Sequence, residues 1–169
     1  MTADLRRSQL ADHPSGGHPA VRELPFRTMV NVRTSASELL GVPLPGPNTF
    51  ATVGERSILW LGPDEWLVVA PPNDPVADEL TGDSVVDVSA NRTTIELAGP
   101  HARDILEKGT SIDLHPRAFG PGRCAQTLLA RAQVVLAQVD GEPTYHVLVR
   151  GSFASYLADW LVDAAREFR

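Results

Sequence analysis

The sequence predicts an α+β fold built on mainly antiparallel sheets. Seven or eight short runs of strand composition are separated by turns rich in Gly, Pro, Asn and Asp. Three or four helical segments fall among them on no regular βαβ period, which argues against a doubly wound parallel sheet. The last of these segments has clear three- and four-residue apolar spacing, so the chain is expected to end in a long amphipathic helix.

Size and charge narrow the class further. At 169 residues, 43% hydrophobic and 21% charged, the chain can bury one substantial core and is too short for two independent ordinary domains. Asp and Glu number 21 against 15 Lys and Arg, a net charge of −6. No strong positive field is then available overall, and neither nucleic acid nor membrane is an expected partner. Cys124 is the single cysteine, so no internal disulfide can form. No apolar run approaches the ~18 residues of a membrane span, and Met1 to Ala20 lacks the apolar stretch of a secretory signal. A cytoplasmic protein is expected.

The elements follow in order. Residues 1–20 include Asp12-His13-Pro14-Ser15-Gly16-Gly17-His18-Pro19, polar and turn-forming, and predict a flexible N-terminal tail ahead of a domain over 21–169. Phe26, Thr28, Val30 and Val32 alternate with Arg27, Asn31 and Arg33 as in a half-buried strand. A short helix is predicted over Ser35 to Leu40, stopped by Gly41 and a turn region from Pro43 to Pro47. Ser57 to Leu61 and Trp66 to Ala70, joined by Gly62-Pro63-Asp64-Glu65, read as a hairpin. Ala77 to Leu80 suits one helical turn, and Val85 to Val88 and Thr93 to Leu97 have strand composition.

Gly99-Pro100 opens a second short helix that carries Ala102, Ile105 and Leu106 on one face and stops at Gly109. Strands are predicted at Cys124 to Ala130, Gln133 to Val139 and Thr144 to Val149, with Asp140-Gly141 in the last hairpin turn. The final helix aligns Phe153, Tyr156, Leu157, Trp160, Leu161, Ala164 and Phe168, with Ser152 as N-cap and Trp160 at the centre of the buried stripe. The expected architecture is two small intertwined lobes, about 21–95 and 96–169.

No pattern of reactive residues emerges from this layout. Gly120-Pro121-Gly122-Arg123-Cys124-Ala125 matches a dinucleotide fingerprint in letters alone, because a strand-like run follows where a helix must begin. The five histidines have no metal-ligand spacing, and Asp113, His115 and Cys124 could meet only through the fold. Cys124 lies in a predicted strand with no local base, the setting of an inert thiol. A Gly-x-Ser-x-Gly elbow and a phosphate-binding glycine loop are both absent. Expected catalytic, cofactor-binding and metal-binding residues are therefore none. Trp60, Trp66, Tyr156 and Trp160 are read first as core, the usual place of large aromatics on an apolar face. Some of Trp60, Trp66, Arg92 and Arg150 are the candidate contacts to a partner, since tryptophan and arginine dominate binding energy at interfaces.

A resemblance sharpens this picture. Leu61-Gly62-Pro63-Asp64-Glu65-Trp66-Leu67, Asp87-Val88-Ser89-Ala90-Asn91-Arg92-Thr93 and Leu97-Ala98-Gly99-Pro100-His101-Ala102 occur in that order. Gly109-Thr110-Ser111-Ile112-Asp113-Leu114 and Arg150-Gly151-Ser152-Phe153-Ala154-Ser155-Tyr156-Leu157 then follow. Over roughly residues 21 to 168 this ordered set resembles the gamma subunit family of heterotetrameric sarcosine oxidase, which is itself similar to the folate-dependent aminomethyltransferase, the glycine cleavage T-protein.

The resemblance implies a T-protein-like fold and a non-catalytic, accessory subunit partnered by alpha, beta and delta subunits. The implied complex oxidises sarcosine to glycine, hydrogen peroxide and a one-carbon product. FAD, FMN, NAD and zinc would sit in the partner subunits, with folate as co-substrate of the complex. Where the T-protein has paired carboxylates, this chain has Ala137 and Gln138, which cannot serve as a general base. The competing expectation is a free-standing folate-binding enzyme or iron-sulfur maintenance protein of the same superfamily. The motif such proteins carry survives here only in fragments, at Gly122-Arg123-Cys124-Ala125-Gln126.

Overall fold

A computed structural model describes residues 6–13 and 18–168. Strands β1 (Val21–Leu24), β2 (Arg27–Arg33), β3 (Glu38–Leu39), β4 (Val42–Pro43), β5 (Phe50–Val53), β6 (Arg56–Gly62) and β7 (Glu65–Pro72) come first. A 3-10 turn at Val76–Glu79 precedes β8 (Ser84–Asp87), β9 (Arg92–Ala98) and helix α1 (Ala102–Glu107). Strands β10 (Cys124–Leu129), β11 (Ala132–Asp140) and β12 (Thr144–Arg150) lead into helix α2 (Ala154–Ala165). Two five-stranded antiparallel sheets result, ordered β1-β9-β12-β11-β10 and β5-β6-β7-β2-β8, with β3-β4 as a separate small hairpin.

Alternation along the strands builds three layers of core. Ile95, Leu97, Leu136, Tyr145 and Val147 project from the first sheet onto Ile105 and Leu106 of α1 and Leu157 and Leu161 of α2. Its other face sends Cys124, Val135, Ala137 and Leu148 against Met29, Leu59, Leu67 and Val69 of the second sheet. The outer face of that second sheet packs Val30, Val32, Ile58, Trp66 and Val68 on Leu39, Val76 and Leu80. Strand β2 is therefore buried on both sides, Met29 included, and not half-buried as its sequence suggests. Its alternating pattern hides this because Met29 fills the face that Arg27 and Arg33 leave at the two ends.

The hairpins over 56–72 and 132–150 form where the turn residues place them. In the second, Asp140 Oδ1 accepts from the amides of Glu142 and Thr144 at 3.0 and 2.9 Å, closing a three-residue loop. The expected helix over Ser35 to Leu40 is instead the hairpin β3-β4. Leu40 (φ 52°) and Gly41 (φ 75°) form its two-residue turn, the left-handed pair that a tight hairpin needs. The expected Ser152 cap is also replaced: a 3-10 turn, Gly151–Phe153, enters α2, and no side chain caps it.

Two further expectations give way to tertiary packing. Leu10 is only 6% exposed, joins the helix-side core, and Gln9 lies on Gly151. His13 meets Asp159 of α2 at 3.3 Å. The described part of the expected flexible tail is thus laid against the domain, while residues 1–5 and 14–17 of that tail lie outside the described residues. On α2, Leu157 and Leu161 are buried, Phe153 and Tyr156 are exposed, and Trp160 is half-buried over Gly109. The stripe is narrower than its aromatic spacing implies because α1 covers only part of it. Strand β1 pairs with β9, so the first sheet draws on residues from both sides of the expected boundary at 95 and 96.

Candidate functional site

The two tryptophans do not share the surface. Trp60 and Trp66 are opposite each other on β6 and β7, on the outer side of the second sheet. Trp66 is 6% exposed, and its indole Nε1 donates to the Pro45 carbonyl at 3.1 Å. It fills the core and has no face to offer a partner, so as a contact candidate it is corrected to a packing residue. Trp60 keeps an open edge.

The two arginines do come together. Arg92 opens β9 and Arg150 closes β12, and the strand register sets them directly opposite each other. Alternation from Leu148 puts both on the face of the first sheet that looks toward the second. Beyond the packed inter-sheet core the same face carries Gln126, Leu128 and Gln133. These residues line an open groove of about 290 Å³ with Thr127. Gln126 Nε2 donates to the Leu61 carbonyl at 2.8 Å and ties this end of the first sheet to the β6-β7 turn. Leu128 is 53% exposed, and on the facing sheet Val86 is 49% exposed.

Arg92 is half-buried, and burial, then the charge of Arg150, hold its guanidinium below the usual arginine range. Among the described residues neither guanidinium has an ion-pair or hydrogen-bond partner, whereas Arg22, Arg33 and Arg56 all reach carboxylates within 3.0 Å. Like charges facing across a ladder are destabilising unless something neutralises them.

Reactive groups elsewhere are committed to structure. Cys124 is buried between the sheets, its Sγ 3.2 Å from the Thr49 carbonyl, and burial pushes the thiol up to about 11. It is packing material with a deeply suppressed thiolate. His146 faces Glu96 at 3.4 Å, and Arg22 holds the same carboxylate at 2.6 Å. Burial holds this imidazole below its usual range despite Glu96. Ala137 faces the inter-sheet core, and Gln138 is buried with its Nε2 on the Asp140 carbonyl at 3.0 Å. Gly122 (φ 83°) leads directly into strand β10, and no helix presents amides after it. Asp113 Oδ1 accepts from the His115 amide at 2.8 Å in a loop turn. Among the described residues no three His, Cys, Asp or Glu side chains gather as metal ligands.

Leu128, Gln133 and Val86 escape sequence reasoning. Each sits in a strand whose composition looks ordinary, and only the place where the facing sheet stops decides that they are bare. The one local signal is an arginine flanking each of two predicted strands, Thr93 to Leu97 and Thr144 to Val149, whose adjacency only the structure supplies.

Comparisons with known proteins place this geometry in a family. The model of the sarcosine oxidase gamma subunit family matches residues 30–167. A sarcosine oxidase subunit gamma from Arthrobacter sp. is 39% identical, covering 99% of this chain and 93% of that protein. Another, from Corynebacterium sp. (strain P-1), is 38% identical over 94% of this chain and 86% of its own length. A chain in the solved heterotetrameric sarcosine oxidase of Corynebacterium sp. U-96, in complex with pyrrole 2-carboxylate, superposes with a TM-score of 0.87. That match, at 34% identity, covers 98% of this chain and 97% of that one. With a family match over most of the chain and relatives of this identity along nearly its whole length, the chain belongs to the sarcosine oxidase gamma subunit family.

Proposed function

We propose that the chain is the small gamma subunit of a heterotetrameric sarcosine oxidase and contributes by binding its companions rather than by chemistry of its own. The observation that carries this is the end-to-end correspondence with a chain of a solved heterotetrameric sarcosine oxidase. Supporting it, the side chains best suited to catalysis are occupied: Cys124 is buried, and His146 and Glu96 are tied to each other and to Arg22. Alpha, beta and delta subunits would hold FAD, FMN, NAD and zinc, with folate as co-substrate. The paired sheets we read as a T-protein-like scaffold that retains the fold and, at Ala137 and Gln138, lacks the acids.

Calorimetric titration of the purified chain with FAD, FMN, NAD and folate tests the non-catalytic reading. No saturable heat is expected from any of them. A micromolar isotherm, or sarcosine oxidation by the chain alone, would overturn it.

A further inference from the structure

Arg92 and Arg150 form a charged pair with no acidic partner among the described residues. They are neighbours across the β9-β12 ladder and project to one face, and no carboxylate among the described residues reaches either. Arg92 also lines a second groove, of about 250 Å³, with Arg6, Arg7 and Arg27. Glu23 is the one acid in that lining, and it already accepts from Thr93 Oγ1 at 2.6 Å and from Ser8. A chain with a net charge of −6 therefore gathers arginines around Arg92, although Arg7 among them is paired with Asp12 and Arg6 donates to Asn73. Positive potential gathered on one patch of an acidic protein is the complement of an acidic surface.

The apolar residues beside the pair distinguish a protein from a small anion. Leu128 stands in the groove with more than half of its surface in water, next to Gln133, whose side-chain amide makes no hydrogen bond among the described residues. A free anion would satisfy the guanidinium groups and leave Leu128 wet. A polypeptide can satisfy both, with a carboxylate for the arginines, a backbone carbonyl for Gln133 and an apolar side chain over Leu128.

Resting on the gamma-subunit reading, we propose that the open end between the two sheets docks an acidic segment of a companion oxidase subunit, one carboxylate bridging Arg92 and Arg150. Arginine suits the role because its planar fork can bind a carboxylate through two hydrogen bonds, and two facing forks can share one. The cost of the unpaired pair in the free chain becomes part of the specificity in the complex, since only an acidic partner relieves it.

The test uses the full chain, tagged and co-expressed with the other subunits of its oxidase. Wild type is expected to bring them down; if it does not, the gamma-subunit reading itself fails. Given that it does, Arg92→Glu with Arg150→Glu should abolish co-purification, and Arg92→Lys with Arg150→Lys should keep most of it. Arg150→Gln should weaken binding by at least about tenfold, more so at low salt. A structural role would also lower the thermal midpoint of isolated Arg150→Gln, whereas relief of the Arg–Arg repulsion leaves it unchanged or raises it. Should the double reversal not fold, Arg150→Gln decides alone, because its side chain is exposed. Wild-type affinity in Arg150→Gln or in the double reversal, or a loss of affinity in Arg150→Gln that comes with a lowered thermal midpoint of the isolated chain, would overturn the proposal.

Discussion

Gly109→Ala makes a sharp probe of how the helices are held to the first sheet. The glycine closes α1, its amide donating to Leu106 and its carbonyl accepting from the Ala130 amide at 2.8 Å. A Cβ there would stand 2.5 Å from Cη2 and 2.7 Å from Cζ2 of Trp160, and 3.1 Å from the Ala130 nitrogen. The indole is rigid, and Ala130 is fixed by the hydrogen bond, so the helix or the ring must move. Overpacking of this kind costs about 1–3 kcal/mol. For a chain of this size 1 kcal/mol corresponds to ~2–4 °C, so a ~2 kcal/mol loss lowers the thermal midpoint by roughly 4–8 °C.

Trp160→Ala empties the space the new methyl needs. Alone it should cost less than the ~3–5 kcal/mol of a fully buried aromatic, because the ring is half exposed. In that background most of the loss from Gly109→Ala should disappear, because only the 3.1 Å approach to the Ala130 nitrogen remains and alanine at a φ that is not left-handed restricts the unfolded chain. Denaturant melts of the four proteins give the coupling energy. An equal loss from Gly109→Ala with and without the indole would refute the contact.

Leu10→Ala should cost about 2 kcal/mol or more in the same melts, because the side chain is buried in the helix-side core; a change within ~0.5 kcal/mol would mean the segment is not docked. His146 has a folded-state pKa below its ordinary 6.5, so the unfolded chain takes up the proton first as pH falls. Stability should therefore decline as pH drops through 6.5 and level off below the folded-state value, and His146→Gln should flatten that part of the profile. Cys124 should resist a thiol reagent at mildly alkaline pH until the protein unfolds, which a colorimetric thiol assay with and without denaturant checks.

Local signals carried most of the framework. The turn Gly62 to Glu65 and the loop after Asp140 mark their hairpins because such residues tolerate tight turns and bond their own backbone. The short strands β1 and β5 were not foreseen, since each has only four residues; β1 is defined by β9, distant in sequence, while β5 pairs with the adjacent β6 across the two-residue turn Gly54-Glu55. Ser35 to Leu40 resembles a helix in composition, but Leu40 and Gly41 take left-handed conformations that fold Glu38-Leu39 back onto Val42-Pro43. At the candidate site, Arg92 and Arg150 were legible as residues. Their pairing depends on register, and the exposure of Leu128 depends on where the second sheet ends, neither of which is local.

The central claim is that this subunit works by binding folded companions, which must then gain stability by mass action. Thermal melts of the other oxidase subunits at rising concentrations of this chain measure that directly. The account predicts a thermal midpoint that climbs with concentration and saturates at stoichiometry. A midpoint that stays constant across the titration would contradict it.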